Sequence, residues 1–128
     1  MGLDQFVYRT SIKPSKPVDF QEDVYGDDVK LEKIHYWRKH PNIHGFMEEI
    51  YREKGGKDSF NCRPVELTQS DIDKLASMIL DRELPETSGF FFGQSSGDSE
   101  EENEDLGFCK KANEAIKQGY TIFYDSWW

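Results

Sequence analysis

Potential chemistry is most concentrated in His35-Tyr36-Trp37-Arg38-Lys39-His40-Pro41-Asn42-Ile43-His44, which holds all 3 histidines of the chain. Imidazoles ligate metals, carry protons and relay hydrogen bonds near neutral pH. His40 and His44 stand four apart, a spacing that sets two imidazoles on one helical face. Zinc takes three or four protein ligands, and no Asp or Glu sits at a matched spacing beside this pair, so no metal site is expected. Anion binding is a second use. Pro41 opens a helix whose first amides lack intrahelical acceptors, and Arg38, Lys39, Asn42 and His44 cluster around that start. The competing use of Arg38 and Lys39 is to pair with the chain's own surplus acids. His35 is expected to be a surface residue or a hydrogen-bonded structural one.

A second cluster is Leu84-Pro85-Glu86-Thr87-Ser88-Gly89-Phe90-Phe91-Phe92-Gly93, a Ser-Gly turn before three successive rings. In a strand, Phe90 and Phe92 share one face and Phe91 takes the other, where it is free to line a pocket. Ser88 lies outside a G-x-S-x-G elbow and no base is identifiable beside it, so it is not expected to act as a nucleophile. The third cluster is Tyr124-Asp125-Ser126-Trp127-Trp128. Two indoles are costly to leave in water, so at least one should dock, most simply on the body of the fold. No P-loop, dinucleotide fingerprint, HExxH or paired-Cys signature is present, so no cofactor is expected and phosphoryl transfer, hydride transfer and metalloproteolysis lack their equipment.

The elements that must position these clusters follow from periodicity and punctuation. Leu3 to Arg9 alternates as a strand. Residues 10–28 carry Pro14, Pro17 and Gly26 and read as an irregular loop. Asp27-Asp28 caps a helix running to about Lys39, with Leu31, Ile34 and Trp37 at helical spacing. Pro41 begins a second helix, whose stripe Ile43, Phe46, Met47, Ile50 and Tyr51 runs to Gly55-Gly56. Phe60 to Leu67 is a strand that Pro64 confines to an edge or a bulge. Thr68 and Asp71 resemble a capping box before the amphipathic helix carrying Ile72, Leu75, Ala76 and Ile79, which ends before Pro85. Residues 84–96 form a loop running into a short strand. Asp98 to Asp105 holds six acids in eight positions and is expected to be solvated, its C-terminal part starting a helix with Leu106, Cys109, Ala112 and Ile116 on one face. Gly119 ends that helix, and Tyr120 to Trp128 is a terminal strand. The fold class is therefore α+β: a single domain over residues 1–128, with about four short strands packed against three to four amphipathic helices.

The 128 residues suit one core, and 36% hydrophobic with 14% aromatic content places much of that core in rings. A net charge of −9 disfavours direct nucleic-acid binding, which needs clustered Lys and Arg. No run approaches the roughly 18 apolar residues of a membrane span, and no secretory leader or myristoylation motif opens the chain, so a cytoplasmic home is expected. Cys62 and Cys109 then read as free buried thiols.

Met1 to Asp4, Tyr36 to Lys39, Asn42, Ile43-His44, Leu84-Pro85, Ser88 to Gly93, and Tyr124, Ser126 and Trp127 together resemble the motifs of a family of small uncharacterised proteins. These are encoded by bacteriophages, prophages and bacteria. The match is ordered along the whole chain and departs from the family pattern at Phe46, commonly Trp there, and at the acidic run. The resemblance implies a phage-type accessory protein of α+β fold in a bacterial host cell, and no particular reaction.

Two functions follow. The favoured one is binding of a host or viral protein without catalysis, since no nucleophile, base and orienting group can be given roles. The alternative is a binder of a small anionic ligand, a nucleotide or phosphorylated metabolite, or a modest enzyme. Across both, the candidate binding residues are Tyr36, Trp37, Arg38, Lys39, Asn42, His44, Ser88, Phe91, Tyr124 and Trp127.

Overall fold

A computed structural model describes residues 2–89 and 92–128. The expected α+β architecture is present. β1 (Asp4–Thr10), β2 (Glu32–Arg38), β3 (Val65–Leu67) and β4 (Thr121–Trp127) form one antiparallel sheet in the order β2-β1-β4-β3. The long helices α2 (Pro41–Glu53), α3 (Gln69–Leu80) and α4 (Ser99–Lys117) supply the main core with the sheet, and a short α1 (Gln21–Val24) lies in the long connection after β1. No helix of the described residues is long and apolar enough to cross a membrane.

β1 buries Gln5 and Val7 on the face that meets the helices, as its alternation requires. β4 lies between β1 and β3 and is covered on both sides. Ile122 and Tyr124 join the main core, while Phe123 packs with Phe20 and Val24 on the opposite face. The connection read as a plain loop over 10–28 is thus the lid of a small second core. Val65 to Leu67 sits at the sheet edge that Pro64 demands, and Phe60 to Pro64 is irregular. The Thr68–Asp71 capping box is formed, and Lys54 pairs with the same Asp71 carboxylate. In α2 the expected stripe of Ile43, Phe46, Met47, Ile50 and Tyr51 is buried.

The helix expected over Asp28 to Lys39 is instead β2. Leu31, Ile34 and Trp37 do sit at threes, but Ile34, Tyr36 and Trp37 also suit a pleated surface, and pairing with β1 from Asp4↔Arg38 to Arg9↔Glu32 supplies the ladder that decides. The register shifts between Val7 and Tyr8, and Trp37 turns inward while Tyr36 faces out. The acidic run also departs from expectation. α4 begins at Ser99 with Asp98 as its N-cap, so the run is helical almost throughout, and its last member, Asp105, is buried. No strand is formed by the described residues of 84–96; Phe90 and Phe91 lie outside the described residues. Both thiols are free, but Cys62 is exposed and only Cys109 is buried.

Candidate functional site

β2 ends at Arg38, Lys39 takes a left-handed φ of 59°, and His40 becomes the N-cap of α2 with φ −111° and ψ 76°. Pro41 is the reason, because it bars helical geometry from the residue before it. His40 and His44 therefore do not share a helical face; one lies before the helix and the other within it. Gln5, reaching across from β1, donates its amide N–H to the His40 carbonyl at 3.0 Å, and its amide oxygen accepts the His40 N–H at 2.8 Å.

The His40 imidazole is held at both nitrogens. Nε2 lies 2.7 Å from Asp105 Oδ2, and Nδ1 lies 2.7 Å from Ser95 Oγ. Asp105 Oδ1 accepts the Trp37 indole N–H at 2.9 Å, and Ser95 Oγ accepts the Asn42 backbone N–H at 3.1 Å. Four separate segments, β2, the α2 start, the stretch around Ser95 and α4, thus meet in one hydrogen-bonded chain. Glu101, one turn before Asp105, comes within 3.5 Å of His40 Nε2. His40, Glu101 and Asp105 bring three ligand-type atoms within 4.8 Å of one another, the arrangement that could hold a metal. Their oxygens are already engaged, since the Glu101 carboxylate accepts the Ser96 and Gly97 N–H groups and Asp105 accepts from Trp37 and His40.

A cleft of about 450 Å3 opens beside this chain, between the first turn of α2 and residues 86–88 and 93–95. Asn42, Glu86, Thr87, Ser88, Gln94 and Ser95 contribute to its walls. The loop is pinned to the helix: Asn42 Oδ1 accepts the Thr87 N–H at 3.1 Å, and a Cβ on Gly45 would fall 1.8 Å from Thr87 Oγ1. Gly45 is therefore required where the loop crosses α2. Lys39 lays its aliphatic stem on Gly93, which takes a left-handed φ of 67°.

One turn further along α2 the environment is aromatic. His44 is fully buried, its Nδ1 is 2.7 Å from the Tyr124 hydroxyl, and its ring is enclosed by Phe60, Phe92, Tyr124 and Trp128. Burial holds its pKa down to about 4 and pushes the Tyr124 phenol well above its usual range. Trp128 is the indole that docks, its Nε1–H donating to the Phe60 carbonyl at 2.9 Å, whereas Trp127 is 68% exposed on the opposite sheet face.

Searches against family models, curated proteins and solved structures find no match.

The expected site residues divide into three groups. Asn42 and Ser88 meet at the cleft, with the stem of Lys39 against its Gly93. Trp37, His44 and Tyr124 are buried and do not line it. Tyr36, Arg38 and Trp127 lie on the outer sheet face or its rim, where Asp4 accepts from the Tyr36 hydroxyl at 2.6 Å and stands 3.5 Å from the Arg38 guanidinium. Phe91 lies outside the described residues. His35 packs between Trp37 and Phe108 as a structural residue, held down to about pKa 4 by burial and then by Lys111. Sequence reasoning missed His40, Ser95 and Asp105 as one unit. The one available signal was an Asp at the helical end of an otherwise solvated acidic run, on the side of Cys109 and Ala112.

Proposed function

We propose that this chain is a small accessory protein of phage type that binds an uncharged polar ligand in the cleft between α2 and residues 86–88 and 93–95. The observation that carries this reading is the cleft's composition. A volume of about 450 Å3 falls within the range of small-ligand sites, and the described wall residues present hydroxyls and amides with a single acid, Glu86. Of the cations that suggested an anionic ligand, Arg38 faces Asp4, His44 is buried and favoured neutral, and Lys39 lays its stem on Gly93 while lining a neighbouring cleft with Ser96 and Glu101. A nucleoside or a sugar fits these walls better than a phosphorylated metabolite. Phage character rests on the Tyr-Trp-Arg-Lys, Ser-Gly-Phe-Phe-Phe-Gly and Tyr-x-Ser-Trp resemblance, and a bacterial cytoplasm is the corresponding location.

The test is a thermal-shift panel of nucleosides and neutral sugars beside their phosphorylated forms. A ligand at 100 times its Kd adds roughly 2.7 kcal/mol, a shift of several degrees for a domain of this size. The expected result is a shift with a neutral compound that Ser88→Trp, an exposed cleft-wall position, abolishes. A panel in which no neutral compound shifts Tm retires the reading.

A second reading, docking of a host or viral protein, is favoured by the outer sheet face. There Trp127 stands free, Phe6 and Tyr36 lie 5.3 Å apart, and Lys33 lies over both rings. Capture of a defined bacterial protein that Trp127→Ala weakens at both low and high salt supports it.

A further inference from the structure

We propose that Ser95 is a nucleophile activated by His40 and oriented through it by Asp105, and that the cleft ligand is a small uncharged carboxylic ester. This rests on the cleft being a ligand site. The direction of each hydrogen bond follows from what its partners can supply. An ionised Asp105 is acceptor-only, so the bonds at its two oxygens come from Trp37 Nε1–H and His40 Nε2–H. A proton on Nε2 leaves the Nδ1 lone pair of neutral His40 facing Ser95. The Ser95 oxygen already accepts the Asn42 N–H, so its one hydrogen is left to donate to Nδ1. The result is a nucleophile, a base and an orienting carboxylate in hydrogen-bond contact, as acyl-transfer chemistry requires. The imidazole is turned end for end relative to the serine-protease arrangement, with the nucleophile on Nδ1.

Burial follows the same order. The Asp105 and His40 side chains are 3% and 4% exposed, while Ser95 is half-buried at the cleft wall, where a substrate can reach it. A hydroxyl that merely caps α2 needs no more than to accept the Asn42 N–H. The bonds onward through His40 to a buried carboxylate, itself fixed by Trp37, exceed that need. The substrate class follows from the walls. A phosphoester would set its charge beside Glu86 with no cation among the described wall residues, whereas a carbonyl arrives neutral and develops negative charge next to the positive end of α2.

In the reaction Ser95 Oγ bonds to the carbonyl carbon, its proton passes to His40 Nδ1, and the carbonyl π pair moves onto oxygen. Collapse breaks the bond to the alkoxy oxygen, which leaves as an alcohol carrying the Nδ1 proton. Water then attacks the acyl-Ser95 ester, giving up a proton to Nδ1 that returns to Ser95. The sum is ester plus water to acid plus alcohol.

The test treats the intact chain with diisopropyl fluorophosphate and maps the adduct by mass spectrometry, with p-nitrophenyl acetate turnover measured in parallel. One phosphorylated serine at Ser95 is expected, absent in Ser95→Ala and retained in Ser77→Ala, an exposed position on α3 away from the cleft. Asp105→Asn, which leaves one acceptor oxygen for the two donors Trp37 Nε1–H and His40 Nε2–H, should slow labelling by about 100-fold or more and alter its pH dependence, beyond what loss of fold by circular dichroism explains. The wild-type measurement alone is decisive if that variant does not fold: a folded wild-type chain that takes no label at Ser95 overturns the proposal. If Ser95→Ala still shows the neutral-ligand thermal shift while the wild type takes no label, the nucleophile falls and the cleft reading stands; loss of both removes the cleft itself.

Discussion

His40 and His44 are four residues apart and occupy opposite kinds of interior. Both His40 ring nitrogens are bonded, to Ser95 and to Asp105, inside a chain that continues to Trp37 and Asn42. His44 has one bond, to Tyr124, its Nε2 finds no hydrogen-bond partner among the described residues, and rings surround it. The contrast teaches that a buried imidazole takes its character from what covers it. A carboxylate beside the ring fixes which nitrogen carries the proton and suits the ring to proton transfer, whereas an aromatic enclosure penalises charge and makes the ring a structural piece with a polar edge.

The largest effect separating the two regions is expected from Asp105→Ala. It strips an acceptor from two buried donors at once, Trp37 Nε1–H and His40 Nε2–H, and should cost about 3–5 kcal/mol in urea denaturation. A loss below about 1 kcal/mol would mean that the polar chain is not a structural unit.

The aromatic region is broken by acid instead. The His44 value of about 4 lies below its ordinary 6.5, so the unfolded chain takes up a proton first. Its contribution to stability is full above pH 6.5 and drains as pH falls toward 4, by on the order of 3 kcal/mol. His35, also held at about 4, drains over the same window, while Asp125, whose carboxyl burial pushes up, works weakly in the other direction. His44→Phe should flatten the slope of stability against pH between 6.5 and 4. An unchanged slope would place the acid sensitivity elsewhere.

The smallest effect sharpens the account of how the two environments are kept apart. Gln5→Leu removes both bonds to the His40 backbone and should cost about 1–3 kcal/mol, measured as a lowered urea midpoint, without altering the His44 acid slope.

Much of this architecture is legible along the chain because the interactions that set it are short-range. The α2 stripe, the Thr68–Asp71 cap, the β1 alternation and the terminal strand each declare themselves within a dozen residues, through side-chain spacing or a local hydrogen bond. β2 was not legible in this way. Its residues fit two periodicities, and the choice belongs to β1, whose backbone supplies the missing partners. The candidate site lies further from local reading, since Ser95 is 55 positions from His40 and Asp105 is 65. The residue types and caps determined which helices and strands were available. Tertiary packing decided that one acid of a charged run would be buried against an indole and an imidazole, because only there could its desolvation be offset by two donors that needed it.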